Sequence, residues 1–166
     1  MHLGILSDTH GHRERTASIV QALLTSGAKT LIHCGDIGSE EVLFEIAERT
    51  LPQEVPVYAV LGNVDLYDPR LLHFPEESGI LVRRRINLNL GETRCAIIHG
   101  DDSSTLNHAI DSGEFDLVCT GHTHTPADEK HGATRVINPG GVYRAKEPGA
   151  AILDLMSGHL ERIDLA

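Results

Sequence analysis

No stretch of this chain is long and apolar enough to cross a bilayer, so membrane-embedded functions are not expected. Its first residues, Met1-His2-Leu3-Gly4-Ile5, lack the basic region ahead of an apolar run that marks a secretory leader. Cysteine is scarce: Cys34, Cys95 and Cys119 each stand alone inside an apolar run. An odd number without C-x-x-C spacing argues against a disulfide framework and a thiolate metal site, and fits buried thiols in a reducing cytoplasm. Positive charge is also short, with Lys plus Arg 14 against Asp plus Glu 24, a net charge of -10. Such a surface repels long polyanions, so long duplex nucleic acid is not an expected partner, although bound cations would reverse the sign locally. Low-complexity tracts, linkers and internal repeats are missing too. At 166 residues the chain fits one domain, 1–166, with one continuous core burying on the order of 70% of its unfolded surface.

What the chain does have is histidine, 11 residues, in telling places. Short apolar runs alternate with amphipathic ones. Residues 2–7 read as a strand, 13–25 as a helix through Ala17, Val20, Leu23 and Leu24, and Gly27 as its stop. A second strand follows at 29–34, then a helix over 40–50 with Ser39 as its cap and Pro52 beyond its end, then a third strand at 56–61. This β-α-β-α-β start predicts parallel strands with helical crossovers. The remainder is strand-rich, at 80–90, 93–98, 116–120, 133–137, 150–155 and 159–165, with one helix at 103–112. A second sheet packed on the first is therefore expected.

Five predicted strands run into residues able to bind metal. They end in Asp8-Thr9-His10, Gly35-Asp36, Gly62-Asn63, His99-Gly100 and Gly121-His122-Thr123-His124. Ligands in open α/β sheets bind beyond the carboxyl ends of the strands, so these five ends should converge. Asp8 and His10, and likewise His122 and His124, are two apart, which in extended backbone places both on one face. Each motif alone is weak. A lone strand-end histidine is usually a satisfied or solvated side chain, and G-D and G-N are ordinary turns. Two aspartates and four imidazoles converging without a cation would, however, be poorly satisfied.

In order, these motifs resemble the signature of the calcineurin-like metallophosphoesterases: D-x-H, G-D, G-N-x-D/E (Gly62-Asn63-Val64-Asp65), H-G and G-H-x-H. The later turn Asn138-Pro139-Gly140-Gly141, with Arg144 nearby, is similar to the N-P-G-S…R signature of the small prokaryotic phosphodiesterase branch, with Gly141 for serine. The resemblance covers nearly the whole chain. It implies a four-layer α-β-β-α sandwich of two mixed sheets flanked by helices. It also implies one metal held by Asp8, His10, Asp36 and His124 and a second by Asp36, Asn63, His99 and His122, with Asp36 bridging. Asp36, Asn63 and His99 would then stand closest to the catalysis. Mixed imidazole and carboxylate ligands suit divalent transition metals, Mn first, with Fe, Co, Ni or Zn as alternatives. Paired ions in such a site share a hydroxide that attacks phosphorus in line.

One departure stands out. Many relatives carry after G-N a histidine thought to protonate the leaving group, and here the residue is Val64. The resemblance therefore implies a phosphodiesterase acting on small or nucleotide-like substrates, with phosphoprotein monoesters disfavoured, and the lone cysteines and absent leader make the expected location cytoplasmic. Asp65 is expected to hold His99 or another ligand by a hydrogen bond. His12 is a candidate substrate contact, with a solvated loop histidine as the alternative. His33 reads as a satisfied core histidine. His73, His108, His131 and His159 receive no role. Arg83-Arg84-Arg85 read as a solvated edge, and Asp101-Asp102 as a loop or helix cap. A phosphomonoesterase, an interaction scaffold like the retromer subunit of this fold, and a homo-oligomeric state all stay open.

Overall fold

The computed structural model describes residues 1–165. The opening follows the periodicity: β1 (His2–Leu6), α1 (Arg13–Thr25), β2 (Thr30–His33), α2 (Glu40–Thr50) and β3 (Val57–Val60). Gly27, at φ 91°, takes the left-handed turn beyond α1 and returns its N–H to the Leu24 carbonyl at 3.0 Å. Ser39 occupies the cap position of α2, but its side chain makes no capping hydrogen bond. The chain continues through α3 (Pro69–Leu72), β4 (Ile80–Arg83), β5 (Ile86–Leu90), β6 (Thr93–Ile97), α4 (Ser103–Asp111) and β7 (Leu117–Cys119). It ends with β8 (Ala127–His131), β9 (Thr134–Asn138), β10 (Gly149–Asp154) and β11 (Leu160–Asp164).

The strands form two mixed sheets. The first has the order β11-β10-β1-β2-β3-β4, with β1 to β4 parallel and β10 and β11 antiparallel to their neighbours. The second has the order β5-β6-β7-β9-β8, with β6, β7 and β9 parallel between antiparallel β5 and β8. The single strand expected over 80–90 is really two. Arg83 closes β4 in the first sheet, and after Arg84 and Arg85 the chain crosses to open β5 in the second.

The sheets divide the interior into three apolar slabs, where one continuous core was expected. Period-two alternation decides which slab each residue joins. Leu6 and Leu31 face Ile19, Leu23, Leu43 and Ile46 of α1 and α2. Leu3, Ile5 and Ile32 face Cys95, Ile97, Cys119 and Ile137 of the other sheet. Ala96, Val118 and Val136 turn the other way, toward Ala109 of α4 and Phe115. The central strands are apolar on both faces because both faces are covered. The result is an α-β-β-α sandwich, in which each fully buried Leu or Ile contributes roughly 1.5–3 kcal/mol.

Candidate metal centre

The carboxyl ends of β1, β2 and β3 in one sheet and of β6 and β7 in the other open on the same crevice. The seven residues singled out in the sequence meet there. Asp36 lies in the middle. Its Oδ2 is 3.6 Å from His10 Nε2, while its Oδ1 is 3.3 Å from His99 Nε2 and accepts the Val64 N–H at 3.1 Å. Asp8 Oδ1 lies 3.2 Å from His124 Nε2 and 4.0 Å from His10 Nε2, and the two imidazoles approach Nε2 to Nε2 at 3.2 Å. Asp8, His10, Asp36 and His124 thus each offer one ligand atom, all within 4.8 Å of one another. On the far side of Asp36, Asn63 Oδ1 is 3.2 Å from His99 Nε2, and the His122 ring stands edge-on to His99 with centroids 5.1 Å apart.

These donors fit a cation. Asp8 Oδ1 is buried without a hydrogen-bond donor, a costly state for a carboxylate oxygen. His99 Nδ1 lies 2.7 Å from the Cys34 carbonyl and His124 Nδ1 3.3 Å from the Arg144 carbonyl. A carbonyl only accepts, so both rings donate from Nδ1 and, in their neutral form, turn an Nε2 lone pair inward; protonated His99 donates from Nε2 to Asp36 instead. Burial pushes His10 below its ordinary pKa despite the opposing pull of Asp36 and Asp8, which favours the neutral, ligating form. Burial also acts downward on His99, but the Asp36 hydrogen bond and charge outweigh it and the net shift is upward. For Asp36 burial acts upward, and the bonds from His99 and Val64 bring it below the usual carboxylate range.

The backbone differs from the extended one expected. Asp8, His10, Asp36, His122 and His124 all have left-handed φ, between 45° and 67°. Asp and His are among the residues that tolerate this region, at a cost of about 1–3 kcal/mol each. Alternation along a strand is therefore not why Asp8 and His10, or His122 and His124, reach one site; consecutive tight turns bring them there. Hydrogen bonds hold those turns. The Asp8 N–H donates to the Gly35 carbonyl and the His10 N–H to the Asp36 carbonyl, both at 2.9 Å, and the His122 N–H donates to Asp8 Oδ2 at 3.2 Å. Gly35 has φ 100°, and a Cβ there would stand 2.6 Å from His99 Nδ1; a Cβ on Gly62 would run into the Asp36 carboxylate.

Asp65, expected to hold a histidine, hydrogen-bonds to none among the described residues. Its buried carboxylate accepts the N–H groups of Ile37 at 3.0 Å, Gly38 at 2.8 Å and Gly62 at 2.8 Å, tying the Asp36 turn to the Asn63 turn. His33 is a satisfied core histidine, as expected, but also a brace that sequence reasoning missed. Its Nδ1 accepts the Gly35 N–H at 3.2 Å, so Nε2 donates to Thr9 Oγ1 at 3.0 Å, and Thr9 donates onward to the Ile37 carbonyl. Burial pushes His33 down to about 3, which keeps it neutral. His12, the candidate substrate contact, caps α1 by accepting the Arg15 N–H at 3.4 Å and packs on Tyr143. Tyr143 was not singled out in the sequence. Its N–H donates to the Asp8 carbonyl at 3.1 Å, bringing the Asn138–Arg144 turn against the site.

Residues 1–158 match the calcineurin-like phosphoesterase superfamily domain, and the chain belongs to this family of hydrolytic phosphoesterases. Within it, the chain is 31% identical over 158 residues to phosphodiesterase MJ0936 of Methanocaldococcus jannaschii, covering 93% of each protein. A solved structure described as a novel archaeal phosphodiesterase is similar with a TM-score of 0.89 at 30% identity, covering 99% of this chain and 100% of that one. Vps29 of Entamoeba histolytica, solved with Zn²⁺, is similar at a TM-score of 0.65 and 18% identity over 99% of both chains, a likeness of fold alone.

Proposed function

We propose that this chain, acting as one domain over residues 1–166, is a phosphodiesterase for small or nucleotide-like diesters that uses two divalent transition-metal ions, manganese foremost. The observation that carries the proposal is Asp36, whose two oxygens turn to different histidines, His10 and His99. One carboxylate divided in this way suits a bridge between a site of Asp8, His10, Asp36 and His124 and a site of Asp36, Asn63, His99 and His122. When bound, such ions supply Lewis acidity toward phosphoryl oxygens and an acidified water as nucleophile. The chain contributes the rest. Its turns fix seven ligands, Asn63 offers an amide N–H₂ to a phosphoryl oxygen, and Val64 presents no proton to a departing alkoxide. No helix of the described residues is long and apolar enough to cross a membrane, and three buried free thiols suit a reducing cytoplasm. Iron, cobalt, nickel and zinc share the ligand preferences of manganese closely enough to be tried beside it.

The test is a metal-reconstituted screen of mono- and diesters with aryl and alkyl leaving groups. Aryl diesters are expected to be hydrolysed, and His124→Ala to lose several orders of magnitude in rate while keeping its circular dichroism. Preferential cleavage of monoesters would make the chain a phosphomonoesterase. Stoichiometric metal with no hydrolysis of any activated ester would favour an interaction scaffold.

A further inference from the structure

Acidic residues outnumber basic ones 24 to 14, and most arginines have a carboxylate beside them. Arg13 and Arg49 pair with Glu45, Arg70 with Asp68, Arg94 with Asp116 and Arg135 with Asp128. Among the described residues Arg15 and Arg144 have no such partner, and both reach the ring of Tyr143, beside the metal centre. Arg84 and Arg85 also lack one, but they belong to the crossing from β4 to β5 and share no aromatic ring.

Both guanidinium carbons stand over Tyr143, that of Arg15 at 5.8 Å and that of Arg144 at 5.7 Å from the ring centroid. The His12 ring packs on the same tyrosine at 4.6 Å. Tyr143 and Arg144 are anchored to the donor set, through the Tyr143 N–H on the Asp8 carbonyl and the Arg144 carbonyl facing His124 Nδ1. Arg144 holds a left-handed φ of 57°, a conformation that arginine adopts only when its surroundings impose it. Arg15 makes one hydrogen bond to protein from its guanidinium, to the Val142 carbonyl at 3.5 Å. Two like charges on one ring repel each other, and the π-face offsets only part of that. An anion that reaches both guanidinium groups would offset that repulsion. The guanidinium fork matches phosphate oxygens in a bidentate geometry that a lysine lacks.

We propose that Arg15 and Arg144, gathered on Tyr143, form a subsite for a second phosphate of the substrate, distinct from the phosphate being cleaved. The proposal rests on the diesterase reading and narrows its substrate class to nucleotide-like diesters that carry a further terminal phosphate.

Two measurements test it. The first compares kcat/KM for thymidine 5′-(p-nitrophenyl phosphate) with and without a 3′-phosphate. The second compares binding of thymidine 5′-monophosphate with that of thymidine 3′,5′-bisphosphate by calorimetry, on the full chain with manganese and after chelation. The variants are Arg15→Gln, which keeps the helix, and Arg144→Asn, which tolerates the left-handed backbone. Lys130→Ala removes the same charge from the outer strand β8 as a control. Wild type should prefer the extra phosphate in both measurements. Each arginine variant should lose that preference by about tenfold or more, as expected for a charge-assisted bond, with Lys130→Ala unchanged. A wild type indifferent to the extra phosphate would overturn the subsite. So would arginine variants that weaken both substrates equally, since the arginines would then serve the cleaved phosphate. If no diester is cleaved, the diesterase reading fails while the calorimetric comparison still decides the subsite.

Discussion

Asp36 spends its two oxygens on opposite neighbours, and that division makes its loss different from the loss of Asp8. With Asp36→Asn one oxygen is replaced by an N–H₂ that cannot ligate and the other loses its charge, so both sites should weaken and retain less metal on dialysis. With Asp8→Asn only the His10–His124 side should empty. Elemental analysis after dialysis distinguishes them, and two ions retained by Asp36→Asn would remove the bridge. Val64 makes a second residue-scale prediction. Its backbone N–H is committed to Asp36 and the residue is 49% exposed at the rim of the site. Without a general acid there, alkyl diesters should fall behind aryl diesters by about 10²–10⁴-fold. Val64→His should recover part of that gap, and a flat leaving-group dependence in wild type would point to another proton donor. His33 bears on stability. Its folded pKa is depressed to about 3, so the folded state resists a proton that the unfolded chain accepts near 6.5. Stability is therefore full above about pH 6.5 and falls as the pH drops from there toward 3, at up to ~1.4 kcal/mol per pH unit. Urea unfolding of chelated protein between pH 7 and 4.5 should show that slope, and His33→Gln should flatten it.

At the scale of elements, the brace made by Asp65 has a measurable consequence. Asp65→Ala leaves the buried Ile37 and Gly62 N–H groups, and the partly buried one of Gly38, without their acceptor, which at about 1–3 kcal/mol per buried group should destabilise the fold by about 2–6 kcal/mol. It should also release metal from the Asn63 side. An unchanged urea midpoint would mean that water or a shifted turn replaces the carboxylate. The same elements explain what could be read in advance. α1 and α2 were legible to the residue because their amphipathic spacing is regular and Gly27 and Pro52 stand just beyond their ends. β1, β2, β3, β6 and β7 were legible as apolar runs ending in chemistry-bearing residues. β8 was not, because Ala127-Asp128-Glu129-Lys130-His131 is an outer strand with almost no buried face, and its pairing with β9 leaves no mark in hydropathy. The 80–90 run gave no sign of changing sheets, since Ile80 and Val82 bury on one side of the crossing as Ile86 and Leu90 do on the other. The convergence of the seven candidate residues was legible from their type and order. The left-handed turns that present five of them were not, because Asp and His carry no sequence signal for positive φ comparable to that of glycine.

Seen whole, the molecule divides the donor set between its layers. Asp8, His10, Asp36 and Asn63 extend from the first sheet, and His99, His122 and His124 from the second. Each proposed ion would draw ligands from both, and so would act as a rivet through the sandwich. Cys34, Cys95 and Cys119 lie in the seam that those rivets would close, fully buried between the sheets. Burial pushes the Cys34 thiol well up, and for Cys119 a hydrogen bond with Cys95 adds to burial. Their reaction with a thiol reagent should therefore wait for the sheets to part. Metal at a hundred times its Kd adds about 2.7 kcal/mol to the folded state, which slows labelling roughly a hundredfold if parting requires the ions to leave. Equal labelling rates with and without manganese would mean that the ions sit on one sheet alone. Three thiols with no part in the chemistry would then serve as a clock for how firmly the two halves of the protein are clamped.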